Sequence, residues 1–144
     1  VSPGSALAEI VILLDTNALP EILRKKPHAG FMRRLRATPA PELATSTVCV
    51  FELRHGAARR ADAASFWKRI ETDVLFRVDV LPFGDAEAVR AGDVLADLER
   101  AGTVVGIEDL MIGSTALVQG ARVVRGNIRH LTRISGLVVE DWWS

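Results

Sequence analysis

Ile10-Val11-Ile12-Leu13-Leu14-Asp15-Thr16-Asn17 is the stretch on which the fold turns. Five apolar residues in a row, three of them β-branched, ask for a strand buried on both faces, the mark of a parallel sheet. The run stops at Asp, Thr and Asn, residues that cap helices and build turns. Working outward, helical stretches are expected over 18–24 and from Pro27 to about Arg36, with a loop at 38–41. A second strand follows at 43–46 and a helix from about Thr47 to Arg60. Residues 63–71 continue as a helix with Phe66, Trp67 and Ile70 on its apolar face. A third strand is expected at 77–81. A long helix then begins at Asp85 and is stopped by Gly102. Residues 107–119 form another helix and 121–124 a fourth strand. A turn or short helix comes at 127–131, and a last strand at 137–139 lies on the sheet edge. Strands alternating with helices give an α/β fold with a mainly parallel sheet and right-handed crossovers.

The chain has 144 residues, about half of them apolar and a quarter charged. That suits one folded domain, 1–144, with 1–9 as a flexible extension. Neither an internal repeat nor a dividing linker is present. Basic and acidic residues balance, 18 against 18, which argues against a uniformly basic coat for nucleic acid but allows a local basic face. The basic residues cluster at Arg24-Lys25-Lys26, Arg33-Arg34 with Arg36, Arg59-Arg60, and Arg122, Arg125, Arg129 and Arg133. Such clusters read either as solvated helix faces or as phosphate contacts. Cys49 is the only cysteine, so neither an intrachain disulfide nor a thiolate metal cage can form, in keeping with a reducing cytoplasm. The run 10–14 is too short for a membrane span or a signal-peptide core, so a cytoplasmic protein is expected.

Three acids fall where an open parallel sheet binds its ligands, beyond the carboxyl ends of the strands. Asp15 ends the first strand. Glu52 lies in the helix after the second, among Val48, Cys49, Val50, Phe51 and Leu53. Asp109 opens the helix before the fourth and shares a face with Ile112, Gly113 and Ala116. Taken singly, Asp15 reads as a helix cap, Glu52 as an arginine partner, and Glu108-Asp109 as acids favoured by a helix dipole. Together, on faces that bury apolar residues, they call for a cation. Carboxylates without Cys or His suit a hard ion, Mg²⁺ or Mn²⁺. Such an ion activates water for phosphodiester hydrolysis. Asn127, after the fourth strand, can reach the same place.

Other chemistries fit less well. A phosphoaspartyl transferase needs an Asp at position 17. Neither a glycine-rich turn nor a P-loop follows the first strand. His28, His55 and His130 lack zinc spacing, and Ser46 and Ser114 lack a nucleophile elbow.

Residues 13–19, Leu-Leu-Asp-Thr-Asn-Ala-Leu, resemble the opening motif of PIN-domain nucleases, especially toxins of the VapBC class. Residues 51–56 (Phe-Glu-Leu-Arg-His-Gly), 108–117 and 121–131 resemble the second, third and fourth motifs, and Ile134-x-Gly136-Leu137 with Glu140-x-Trp142 closes the chain as in those toxins. The motifs follow the expected order over nearly the whole chain. The resemblance implies a PIN-like three-layer α/β/α fold with a central, mainly parallel sheet of four to five strands. It implies a Mg²⁺-dependent endoribonuclease toxin, with Mn²⁺ as a substitute, neutralised by a cognate antitoxin that occupies the groove of the site. It also implies a homodimer, and DNA contact only through the antitoxin. Carried over, Asp15, Glu52 and Asp109 are catalytic metal ligands and Asn127 positions a water or the phosphate. Thr16, Asn17, Arg125 and His130 face the substrate. Arg125 stands where Thr or Ser is common, and His130 where Asp is common. Arg125 therefore either binds the scissile phosphate or pairs with Asp15 or Asp109. The alternative function is a catalytically weakened binding module within a toxin–antitoxin repressor complex.

Overall fold

A computed structural model describes residues 10–144; the extension expected at 1–9 lies outside the described residues. Strands β1 (Ile12–Leu14), β2 (Leu43–Ser46), β3 (Asp79–Leu81), β4 (Arg122–Val124) and β5 (Val139–Glu140) form one sheet in the order β3-β2-β1-β4-β5. Every pairing is parallel. Helices α1 (Ala29–Ala37), α2 (Thr47–Ala58), α3 (Ala63–Asp73), α4 (Asp85–Arg100) and α5 (Ile107–Gln119) flank it. The apolar run of the opening strand is buried at every position of β1, as a central parallel strand requires. Leu13, Leu14, Ile112, Val123 and Val124 lie at the heart of the core with no exposed surface.

The strand order fixes where a site can form. From β1 the chain crosses to β2 on one side, and β4 pairs on the other. The topology therefore switches between β1 and β4, which opens a crevice past their carboxyl ends. Residues 15 and 125 are the first beyond those ends.

Local chemistry sets the helix boundaries. Ser46 Oγ accepts the Cys49 amide at 3.1 Å and starts α2. His28 Nδ1 accepts the Phe31 amide at 3.2 Å and starts α1. Gly120, at φ 66°, ends α5 in the left-handed conformation. Gly113 allows α5 a close approach, since a Cβ there would stand 2.7 Å from Ile134 Cδ1.

Some expected boundaries differ: the third strand starts at Asp79, because Leu75–Arg77 is a 3₁₀ turn. The helix over 18–24 is a 3₁₀ turn, Leu19–Leu23, containing Pro20. It ends because Arg24 is extended and the Glu21 side chain bonds the His28 amide. The turn or short helix expected at 127–131 is a turn, followed by a 3₁₀ turn over Leu131–Arg133. The last strand starts at Val139 because Gly136, at φ 82°, is still reversing the chain. It does lie on the sheet edge.

Candidate active site

Asp15 has no exposed surface. Its amide donates to Val124 O at 3.1 Å, continuing the β1–β4 ladder. Its carbonyl then accepts from Ala18 and Leu19 and turns the chain into the 3₁₀ segment. The backbone of Asp15 is thus held on both sides, and its carboxylate points past the strand end. Thr45 on β2 locks the neighbouring Leu14 carbonyl at 2.8 Å. The Cys49 thiol lies 3.8 Å from Asp15 Oδ1. Burial, then the charge of Asp15, pushes that thiol's pKa up and keeps it a neutral donor. Cys49 is buried.

Arg125 delivers a cation into the same place. Its Nε donates to Asp15 Oδ2 at 2.5 Å and its Nη2 to Asp109 Oδ1 at 2.6 Å. The Arg125 side chain is only 10% exposed. Burial works against its charge, but the bonds to Asp109 and Asp15 prevail and hold the guanidinium charged more firmly than usual. Asp109 reaches the bridge from the first turn of α5, whose Ile112, Gly113 and Ala116 face the core.

Glu52 comes from α2 and is half-buried; Val48, Cys49 and Leu53 of its helix face the core, whereas Phe51 is exposed. Thr16 Oγ1 donates to Glu52 Oε1 at 2.5 Å. Burial raises the Glu52 pKa above the ordinary carboxylate value. Asp15, Glu108 and Asp109 push it the same way, against the Thr16 bond. Glu52 therefore sits in the negative field of the other acids.

The remaining expected residues are less engaged. Asn127 is exposed and its Oδ1 accepts the Arg129 amide at 3.3 Å, closing its own turn; among the described residues no hydrogen bond joins it to the acids. Asn17 is exposed and His130 half-buried at the start of the Leu131–Arg133 turn. Arg60 lies over the Phe66 ring at 3.7 Å and Arg54 over Trp67 at 5.1 Å. Arg33, Arg36, Arg59 and Arg129 are exposed and form no ion pair among the described residues. Sequence reasoning missed Glu21, a buried acid six positions on that accepts from Trp143 Nε1 at 2.9 Å and from the His28 amide at 3.0 Å. No spacing signal marks it, because its partners come from elsewhere in the chain.

Among the described residues, no three acids, imidazoles or thiolates stand close enough to enclose an ion as they are placed. The donor chemistry nevertheless fits a hard divalent cation. Asp15 and Asp109 share one guanidinium, and Glu52 feels the charges of Asp15, Glu108 and Asp109, so an excess of negative charge remains, offered by oxygen atoms alone. Beside these acids runs a cleft of about 290 Å³, from Thr16, Asn17 and Glu52 to Leu53, Phe66 and Ile70.

Comparison with known proteins agrees with this architecture. The PIN domain family model matches residues 12–137. The tRNA(fMet)-specific endonuclease VapC of Shigella flexneri is 34% identical over 130 residues, covering 90% of this chain and 96% of the relative. A DNA-bound VapBC crystal structure from Salmonella typhimurium superposes with a TM-score of 0.83 at 30% identity, covering 92% and 98% of the two chains. VapBC2 from Rickettsia felis, bound to a DNA fragment from its promoter, gives the same TM-score at 25% identity, covering 92% and 99%.

Proposed function

The chain belongs to the PIN-domain family, and from that membership we infer that it is an endoribonuclease toxin whose reaction is carried by Asp15, Glu52 and Asp109. The observation behind the assignment of residues is the convergence of these acids at the β1–β4 switch point, with negative charge in excess.

When bound, Mg²⁺ or Mn²⁺ supplies an activated water and a Lewis acid for phosphodiester hydrolysis. Asp15, Asp109 and Glu52 are the residues that hold it. Asp15 fixes the deep end of the site, because its backbone is part of the sheet ladder. Glu52 is aimed by the hydroxyl of Thr16, which takes up one carboxylate oxygen and leaves Oε2 without a hydrogen-bond donor among the described residues. Asn17, Asn127 and His130, exposed or half-exposed, are assigned to meeting the RNA backbone. The exposed Arg33, Arg36, Arg59 and Arg129 supply sequence-independent attraction for phosphate.

An antitoxin neutralises the enzyme. Its inhibitory segment is assigned to the apolar cleft beside Glu52, where Leu53, Phe66 and Ile70 offer burial and the acids lie within reach. DNA contact is assigned to the antitoxin, and the active toxin is assigned to a cytoplasmic homodimer. No helix among the described residues is long and apolar enough to cross a membrane.

The direct test is cleavage of structured RNA by antitoxin-free protein with Mg²⁺, Mn²⁺ or EDTA. Initiator tRNA is the first substrate to try, because the Shigella relative is named for it. Cutting with either metal and none in EDTA is expected, and Asp109→Asn should abolish it. Undiminished cutting in EDTA would sink the metal-dependent mechanism. Folded protein that cuts no RNA with either ion would favour the binding-module alternative.

A further inference from the structure

The bridge made by Arg125 is built into the sheet register. β1 and β4 pair Leu14 with Val124, so Asp15 and Arg125 are the next neighbours across the ladder. The Asp15 amide is tied to Val124 O, and the Arg125 amide to Glu140 O at 3.1 Å. Neither backbone can move away while the sheet is intact. The guanidinium spends two of its nitrogens on carboxylates from two different elements. One positive centre thus joins Asp15 to Asp109, the service that the proposed metal ion would perform. Arginine keeps its charge at any physiological pH, so the bridge cannot dissolve by losing a proton. The third nitrogen, Nη1, has no hydrogen-bond partner among the described residues, and the side chain keeps 10% of its surface exposed. The side chain therefore has an outward direction open to it.

We propose that Arg125 is an internal counter-cation that competes with the divalent ion for Asp15 and Asp109, so that the metal-free toxin is self-neutralised and metal binds only as the guanidinium leaves its bridge. Arg125 is then a positioning residue that sets metal affinity through the two acids. This rests on the reading of those acids as metal ligands. Competition follows from the geometry. Asp15 Oδ2 and Asp109 Oδ1 are already taken by charge-assisted bonds, which are shorter and stronger than neutral ones. The uncompensated charge of Glu52 and Glu108 still draws a divalent ion inward. The two cations are thus set against each other over the same oxygens.

The test is calorimetric titration of full-length, antitoxin-free protein with Mn²⁺ alone, comparing wild type with Arg125→Thr, Arg125→Gln and Arg125→Lys. Circular dichroism checks that each is folded, and the Gln variant retains hydrogen bonding if the Thr variant does not fold. Arg125→Thr and Arg125→Gln should bind Mn²⁺ more tightly by on the order of 10-fold, the equivalent of one bond to a charged group. Arg125→Lys should fall between them and wild type. The neutral variants should also melt lower without metal and gain more in Tm from Mn²⁺ than wild type does. A purely structural arginine would give the lower melting temperature without tighter Mn²⁺ binding. Neutral variants that bind Mn²⁺ no better than a wild type that binds and cleaves would overturn the competition and leave the nuclease reading standing. Absence of Mn²⁺ binding in all of them, with cleavage persisting in EDTA, would overturn both.

Discussion

Asp15 and Glu21 lie close in sequence and are both nearly sealed from solvent, at 0% and 5% exposure. Their company differs. Glu21 accepts an indole N–H from Trp143 and a backbone amide from His28, with Arg24 at 3.4 Å on the exposed side. Its strongest partners are fixed, neutral groups. Trp143 also stacks on Phe31, ring centroids 4.7 Å apart. Glu21 thus fastens the C-terminal segment to the 3₁₀ turn after β1. Asp15 is met instead by a long charged side chain shared with a second acid. Breaking a buried ion pair leaves a costly bare charge unless another cation replaces the lost partner. An acid satisfied by fixed donors holds the fold together, whereas an acid satisfied by an exchangeable cation is equipped to bind one.

The widest separation between the two is expected from a pair of substitutions. Asp15→Asn should lower RNA cleavage on the order of 100-fold or more while the protein stays folded by circular dichroism. Glu21→Ala should cost about 2 kcal/mol in urea unfolding, since it strands buried donors. Its cleavage rate per folded molecule should stay within about twofold of wild type. Loss of cleavage by well-folded Glu21→Ala would break the contrast. A smaller effect is expected at Thr16. Thr16→Val keeps the shape but removes the donor to Glu52, and should lower kcat by about 10-fold. An unchanged kcat would remove Thr16 from the site.

The smallest effect concerns pH. Although burial alone would raise the Glu21 pKa, the bonds from Trp143, His28 and Arg24 hold it below the ordinary carboxylate value. A group lowered on folding contributes stability above its unfolded pKa and loses it as pH falls through the folded value. The Tm difference between wild type and Glu21→Gln should therefore be full at pH 7 and narrow below about pH 4. A gap of constant width down to pH 3 would show that packing, not charge, carries the role of Glu21.

What could be read from the sequence follows the distance over which each feature is decided. β1 was legible because burial on both faces leaves an unbroken apolar run. α5 was legible in full because two acids, Glu108 and Asp109, open its first turn and Gly120 closes it. Asp15, Glu52 and Asp109 stood out as acids on faces that otherwise bury apolar groups. The 3₁₀ turn at Leu19–Leu23 was not legible, since its end depends on the Glu21 side chain reaching His28. Arg125 left two readings open, because the choice between phosphate and carboxylate depends on a strand register that joins residues 110 positions apart.

That separation also has a consequence in time. Translation proceeds at roughly 5–20 residues per second, so on the order of 5–20 s pass between the synthesis of Asp15 and that of Arg125. Throughout this interval β1 cannot pair with β4, so the bridge joining Asp15, Asp109 and the guanidinium cannot form. A nascent or prematurely released chain therefore lacks the β1–β4 pairing on which the site is built. The site is complete only after nearly the whole polypeptide has emerged.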